Sequence, residues 1–252
     1  MRYESKPRDG EAELVREIEC LAERFPCYGY KRIWAKLRSR GWPVNKKRVQ
    51  RLWRELGLKR PFRPEKRKHR GVLPGSRDNG CVSRPSRHKN DVWAWDFVFD
   101  RTWDGRVLKW FTLVDEYTRE CLALHADRSL GGTDVESVLR RVVLRRGSPV
   151  AIRSDNGPEF IGQTIRDWFA KQGVSTLYIK PGSPWQNGFA ESFHSRLRDE
   201  FTEREEFESV VDARAKGESW RREYNTKRPH SGLAYRTPAE FAKSCGEDQR
   251  AA

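Results

Sequence analysis

Apolar residues recur at helical spacing through the first part of the chain. In 11–24, EAELVREIECLAER, Leu14, Ile18 and Leu21 share one helix face. In 30–40, YKRIWAKLRSR, Ile33, Trp34 and Leu37 do the same, and Gly41 breaks the pattern. Pro43 follows, and Asn45 is placed to cap a third helix that runs to Leu56. Val49, Leu52, Trp53 and Leu56 form its apolar stripe, while Lys46, Lys47, Arg48, Arg51 and Arg54 fall largely elsewhere. Trp34 and Trp53 share the apolar stripes and read as core residues. Two short helices around a glycine turn, the second one basic, suit a helix-turn-helix. An ordinary three-helix bundle with a charged face gives the same pattern.

From Gly57 to about Asn90 periodicity fails. Pro61, Pro64, Pro74 and Pro85 alternate with Gly71, Gly75 and Gly80 among many Lys and Arg, which predicts an extended basic linker over 59–90. At residue 91 the texture changes. DVWAWDFVFD, VLKWFTLVDEYTR and ECLALHAD read as three strands close in sequence, an antiparallel meander turning at Asp104-Gly105. DVESVLRRVVLRR then reads as a helix and PVAIRSD as a short buried strand. A helix over 164–172, the strand VSTLYI, a long helix from about Trp185 to Glu200 and a final helix over 210–224 complete the pattern. The expected class is α/β: a mixed five-stranded sheet with helices on both faces, preceded by an all-α domain. The expected boundaries are 1–58 for the helical domain, 59–90 for the linker, 91–205 for the sheet domain and 206–252 for a C-terminal helical extension.

Charge adds a partner to this picture. The chain of 252 residues carries a net charge of +15. Residues 1–90 hold 26 basic and 10 acidic side chains, and residues 91–252 hold 25 and 26, so the whole surplus lies in the first third. Within it, 31–70 has 17 basic residues against 2 acidic. A basic block beside a near-neutral domain is the electrostatic footprint of a polyanion binder, because neutralised phosphates release counterions. A mean hydropathy of −0.90, no apolar run near the ~20 residues of a membrane span, and an N-terminus lacking the apolar core of a secretory signal argue against a membrane or secreted protein. Five scattered cysteines at 20, 27, 81, 121 and 245 suggest a reducing compartment rather than a disulfide framework.

Three acids stand out by position. Asp96 lies mid-strand between Trp95 and Phe97, where Asp is disfavoured. Asp155 lies where the fourth strand ends, the edge at which open α/β sheets place ligands. Glu191 lies in the long helix, on a stripe with Asn187, His194 and Arg198, while Phe189, Phe193, Leu197 and Phe201 recur every four residues toward the core. Converging carboxylates repel unless a cation neutralises them, and oxygen ligands favour Mg²⁺ or Mn²⁺. Two such ions roughly 4 Å apart can activate a nucleophile and stabilise a leaving oxygen in phosphoryl transfer. Singly, each acid also reads as a cap, a turn residue or a solvated helix position.

Asp155 follows Asp96 by 59 residues and Glu191 follows Asp155 by 36. Asp96 in a strand, Asp-Asn-Gly-Pro-Glu-Phe after a later strand and a helical Glu resemble the catalytic core of retroviral integrases and related transposases. VWAWDFVFD, TLVDEYTRECLAL running into DRSL, IRSDNGPEF, PGSPWQNGFAESFHSRLRDE and YNTKRPHSGLAYRTPAEFA are similar to the second-frame (OrfB) transposases of the insertion-sequence-three family. YGYKRIWAKLRSRGWPVNKKRVQRLWRELGL resembles the helix-turn-helix that precedes that core, and the likeness covers about residues 25 to 243.

The resemblance implies a ribonuclease H-like fold and a Mg²⁺-dependent DNA transposase, with Mn²⁺ able to substitute and two ions per site. It makes Asp96, Asp155 and Glu191 the metal ligands, with Asn156, Gly157, Glu159 and Phe160 around the second acid. Arg198 matches a basic position that contacts DNA, and Asn225, Arg228, Pro229 and His230 match a C-terminal signature of unassigned role. With the charge pattern, it makes Lys31, Arg32, Lys46, Lys47, Arg48, Arg51, Lys180 and Arg198 the candidate DNA contacts. The implied partners are terminal inverted repeats, target DNA, at least a second copy of the chain and possibly an upstream OrfA-type product, in the bacterial cytoplasm or nucleoid. A nuclease of the same fold and a non-catalytic DNA-binding relic are the rival readings.

Zinc has little basis, since Cys20 and Cys27 lack a nearby histidine pair and His69, His88 and His125 lack partners at ligand spacing. His194 is expected to border the groove, and Asp115 and Glu116 to be structural or groove-lining. No phosphate loop, dinucleotide fingerprint or serine elbow occurs.

Overall fold

The computed structural model describes residues 10–58, 84–154, 163–178 and 188–248. The expectations for Asp155, Asn156, Gly157, Glu159, Phe160, Lys180, Asn187, His69 and most of the linker lie outside the described residues. The described chain falls into two units, one of the N-terminal helices with Pro229–Tyr235 and one holding the sheet.

In the helical unit, α1 (Glu11–Arg24), α2 (Tyr30–Ser39) and α3 (Lys46–Glu55) enclose Leu14, Ile18, Leu21, Ile33, Leu37, Val49, Leu52 and Trp53. The stripe positions therefore do the packing. The Asn45 side chain accepts from the Lys47 N–H at 2.9 Å and caps α3. Trp34 is half-buried, donates Nε1–H to the Val44 carbonyl at 2.9 Å and meets the Tyr235 ring edge-on at 5.8 Å.

The second unit is a five-stranded sheet of order β3-β2-β1-β4-β5. β1 (Val92–Arg101), β2 (Val107–Asp115) and β3 (Cys121–Asp127) form the antiparallel meander, and β4 (Ala151–Ser154) and β5 (Ser175–Tyr178) add in parallel beside β1. Strand alternation divides the β1 side chains. Trp93 and Trp95 join Phe111 and Leu113 under α4 (Gly132–Arg146) and α5 (Gln163–Gln172), through Val135, Leu139, Ile165 and Phe169. Val98 joins Leu108, Trp110 and Val114 under α6 (Gly188–Leu197) and α7 (Val210–Thr226), through Phe193, Leu197 and Ala213. Asp96 and Val98 share a face, so Asp96 emerges on the α6 side while its bulky neighbours pack on the other.

Three details differ from the expected pattern. α6 gives way at Arg198 to a π-helical turn, Arg198–Thr202, before the expected end at Glu200. The helix at Val210 runs to Thr226 and is not the last, because α8 (Pro238–Asp248) follows. The linker's end is anchored: Arg84 Nη2 lies 2.5 Å from the buried Asp91 carboxylate, and the Arg84 carbonyl accepts from Arg153 at 2.9 Å.

Candidate active site

Asp96 sits at the middle of β1, paired across the ladder with Thr112 of β2. Its Oδ1 accepts from the Phe97 N–H at 2.7 Å, and its carbonyl accepts from the buried Thr112 hydroxyl at 2.9 Å. Its Oδ2 lies 3.6 Å from Nδ1 of His194, whose Nε2 is 2.9 Å from the same hydroxyl. His194 is 7% exposed, and burial, aided by Arg198, pushes its pKa down to about 4, so the imidazole is neutral near pH 7.

His194 thus corrects the expectation of a groove-bordering residue. A side chain one turn beyond an exposed Glu191 points at the sheet because α6 rests flat on β1 and β2. The contact ties the two visible acids together: Glu191 lies in the first turn of α6, and positions three apart on a helix are neighbours. Arg198, seven residues on, is exposed at the start of the π-helical turn.

The apolar stripe of this helix needs a second correction. Phe193, Leu197 and Phe201 are buried, but Phe189 is only half-buried. Its ring carries the Arg119 guanidinium at 3.9 Å. Arg119 adopts φ +63° in the turn between β2 and β3, an uncommon conformation for a non-glycine residue. The same turn supplies buried Glu116, which accepts from Arg153 Nε at 2.7 Å. Burial raises the Glu116 pKa, and Arg153 opposes that rise. Asp115 accepts from Tyr117 N–H, Thr118 N–H and Asn90 N–H and pairs with Arg146 at 3.1 Å. Both acids are structural. One network therefore holds β4, two residues before Asp155, and meets α6 two residues before Glu191.

The C-terminal signature also braces the sheet unit. The Asn225 amide accepts from Cys121 N–H at 2.8 Å and donates to the Cys121 carbonyl at 2.9 Å, pinning the start of β3. Spacing could not show this, because the partners are 104 residues apart.

The basic candidates of the helical unit divide. Arg48 donates to Glu11, Nη2 at 2.9 Å, and Arg51 to both Glu11 and Glu55, at 2.8 and 2.9 Å. Lys46 stands 5.5 Å over the Trp34 ring and Arg32 5.2 Å over Tyr28. Lys31 and Lys47 are exposed.

Two models of an integrase core domain match residues 86–184 and 172–238, and a model of a helix-turn-helix-like domain matches residues 7–67. The 31.7 kDa protein of insertion element IS407 from Burkholderia multivorans is 36% identical over 242 residues, covering 96% of this chain and 85% of that protein. Transposase InsD of insertion element IS2 from Escherichia coli is 30% identical, covering 92% and 79%. The HTLV-2 integrase catalytic core in complex with magnesium superposes with a TM-score of 0.50 at 14% identity, over 62% of this chain and 99% of that one. A chain of the simian T-cell lymphotropic virus intasome gives 0.55 at 12% identity, over 90% and 74%. These structural likenesses show the fold, a ribonuclease H-like integrase core. The sequence relatives go further, and they place this chain among the OrfB-type transposases of the insertion-sequence-three family.

Proposed function

We propose that the chain is a Mg²⁺-dependent DNA transposase that cleaves element ends and transfers the freed strand, using Asp96, Asp155 and Glu191. The observation that carries this reading is the Asp96–His194 contact, which sets one helix turn between the strand acid and Glu191. The donor set fits the ion: carboxylate oxygens suit a hard divalent cation, and a relative of the same fold was solved with magnesium. Bound Mg²⁺ supplies charge neutralisation at the phosphate and a more acidic bound water.

The chain's own residues do the rest. Asp96 from the middle of β1 and Asp155, the residue after β4, would hold the cations, and Glu191 would complete the set from α6. His194 is buried against the sheet with Nε2 on the Thr112 hydroxyl, which withdraws it from the role of general base. In-line phosphoryl transfer asks chiefly for positioning and charge stabilisation, which suits a site without an activated Ser or His. Lys31 and Lys47 of the helical unit engage the terminal repeats, and Arg198 engages the end near the cut. Two element ends require at least two copies of the chain.

The test is incubation of labelled end DNA with target DNA and Mg²⁺. The expected result is a cleaved strand and a joined product, both absent for Asp96→Asn and Asp155→Asn. Cleavage without joining would leave a nuclease, and no cleavage in Mg²⁺ or Mn²⁺ would leave a DNA-binding relic.

A further inference from the structure

The hairpin of β1 and β2 runs past the strand beside it. β1 pairs with β4 only over Val92–Ala94, whereas its pairing with β2 continues to Arg101 opposite Val107. β1 and β4 are parallel, so the hairpin projects from the edge at which β4 ends and Asp155 follows. From Asp96 to Arg101 the overhang reaches about 17 Å, at roughly 3.3 Å per residue. We infer that one face of this overhang, around Phe99, together with Trp103 at its turn, is a surface on which unpaired DNA bases stack. The inference rests on DNA as the substrate and not on which acids hold metal.

Exposure singles the hairpin out. Phe99 is 67% exposed, Trp103 76% and Val107 47%. Strand alternation puts Phe97, Phe99 and Arg101 on the face that carries α4 and α5 further back, and register adds Lys109 opposite Phe99 and Val107 opposite Arg101. Phe97 packs against the core there, and Phe99 lies beyond it.

Charge says what the surface takes. Within the hairpin this face carries two cations, Arg101 and Lys109, and no carboxylate. Asp100 alternates to the other face, and Asp104 of the turn pairs with Arg106 at 2.6 Å. Asp127, opposite Lys109 on β3, pairs with Arg214. Lys109 Nζ stands 3.9 Å from the Phe97 ring centroid and 5.6 Å from that of Phe99. Rings beside cations suit a single strand, whose bases stack while its phosphates are neutralised. A second copy of the chain fits less well, because protein interfaces deplete lysine at their centre.

The hairpin's end is fixed before any ligand arrives. The Trp103 N–H donates to the Phe207 carbonyl at 2.9 Å, and the Gly105 N–H donates to the Thr102 carbonyl at 2.8 Å. Arg128 donates to the Val107 carbonyl at 3.0 Å and to the Thr102 hydroxyl at 2.7 Å. A ring presented on a fixed backbone binds with little ordering cost. Phe99 is three residues from Asp96, about 10 Å along the strand, which is about three nucleotides of stacked DNA at roughly 3.4 Å each. The two side chains lie on opposite faces, so a strand leaving the catalytic edge would cross β1 beyond the end of β4.

The experiment is fluorescence anisotropy of the full chain with two labelled probes, a mixed-sequence single-stranded oligonucleotide and its blunt duplex. The proteins are wild type, Phe99→Ala/Trp103→Ala and Phe99→Tyr/Trp103→Phe, each with a melting curve and a mass from light scattering. Both residues are exposed, so the melting curves should coincide. The alanine pair should weaken single-strand binding about tenfold or more, with duplex affinity within about twofold and the salt slopes unchanged, because rings are lost and no cation is. The Tyr/Phe pair keeps both rings and should bind as wild type does. Equal weakening on both probes, or none on either, overturns the inference and leaves the transposase reading intact. A lower mass for the alanine pair with unchanged affinity overturns it in favour of self-association. A wild type that binds neither probe overturns DNA as the substrate, and the inference with it.

Discussion

Arg228 lies bidentate on Glu200, with Nε 2.6 Å from Oε2 and Nη2 2.7 Å from Oε1, and both side chains are nearly withdrawn from water. Glu200 belongs to the π-helical turn that ends the Glu191 helix, and Arg228 follows the helix that covers β3. The pair closes the far end of α6 much as the Arg119–Phe189 contact closes its start. Removing one partner strands a buried charge, so Arg228→Met and Glu200→Met should each cost about 3–5 kcal/mol. The double variant Glu200→Met/Arg228→Met should lose less than the two single changes added together, because no charge is left unpaired. Urea unfolding of the four proteins measures this, and strict additivity would show that the pair carries no coupling.

Gly217 tests the packing of α7 on the sheet. A Cβ added there would stand 2.7 Å from Cζ3 of Trp110, closer than real contacts allow, and Trp110 is fully buried among Phe201 and Phe207. Alanine gains up to about 1 kcal/mol of helix propensity over glycine. Overpacking a rigid aromatic wall costs roughly 1–3 kcal/mol. The second effect wins, so Gly217→Ala should lower stability and perturb Trp110 fluorescence. A stabilised variant would mean that α7 moves freely away from the sheet.

These two sites mark where the sequence stops being legible. The five strands, their order of appearance and the face alternation around Asp96 follow from period-two runs rich in Trp, Phe and Val, whose packing is local and repetitive. Glu191 was placed by its helical stripe. His194 was misplaced because a 100° wheel assigns sides to an isolated helix, and the sheet's width brought one more position inside. The Arg228–Glu200, Asn225–Cys121 and Glu116–Arg153 pairs join distant segments, and no spacing rule encodes them. The helix Pro238–Asp248 did have a local signal: Thr237 and Glu240 cap each other's backbone N–H at 2.8 and 3.2 Å, the reciprocal pattern of a Thr-x-x-Glu start.

The helical unit gives a prediction about DNA. Six of its basic residues are candidates from the charge pattern and the family resemblance, and the structure distinguishes them by partner. Arg48 and Arg51 spend their guanidinium groups on Glu11, whose pKa is lowered, first by Arg51. Lys31 and Lys47 are exposed. Lys31→Ala/Lys47→Ala should therefore weaken binding to end DNA and reduce the log–log salt slope by about 1.8, roughly 0.9 for each lost phosphate contact. Arg48→Ala/Arg51→Ala should act more on the unfolding temperature than on the slope. Fluorescence anisotropy over a salt series, with melting curves beside it, reads both. The opposite assignment of slope and stability would mean that the arginines leave Glu11 when DNA binds.

Glu191→Gln addresses the third acid. Glu191 is exposed in the first turn of α6, whereas Ala190, Phe193, His194 and Leu197 of that helix are buried, so Gln changes no packing. Loss of a carboxylate at a helix N-terminus forfeits about 0.3–1 kcal/mol of dipole interaction. That is a small fraction of a domain's stability, so the unfolding temperature should move little. Binding of end DNA should also hold, because the contacts assigned to binding lie elsewhere. Cleavage and joining should fall by three orders of magnitude or about 4 kcal/mol of barrier, since an amide oxygen holds a hard cation far more weakly than a carboxylate. Asp96 keeps its hydrogen bond from the Phe97 N–H, so Mn²⁺ binding should weaken rather than vanish. The measurement is cleavage rate in Mg²⁺ beside gel-shift affinity and Mn²⁺ titration for the same preparations. A variant that cleaves within a few-fold of wild type would make Glu191 a solvated helix acid, and the third ligand would then have to come from another residue.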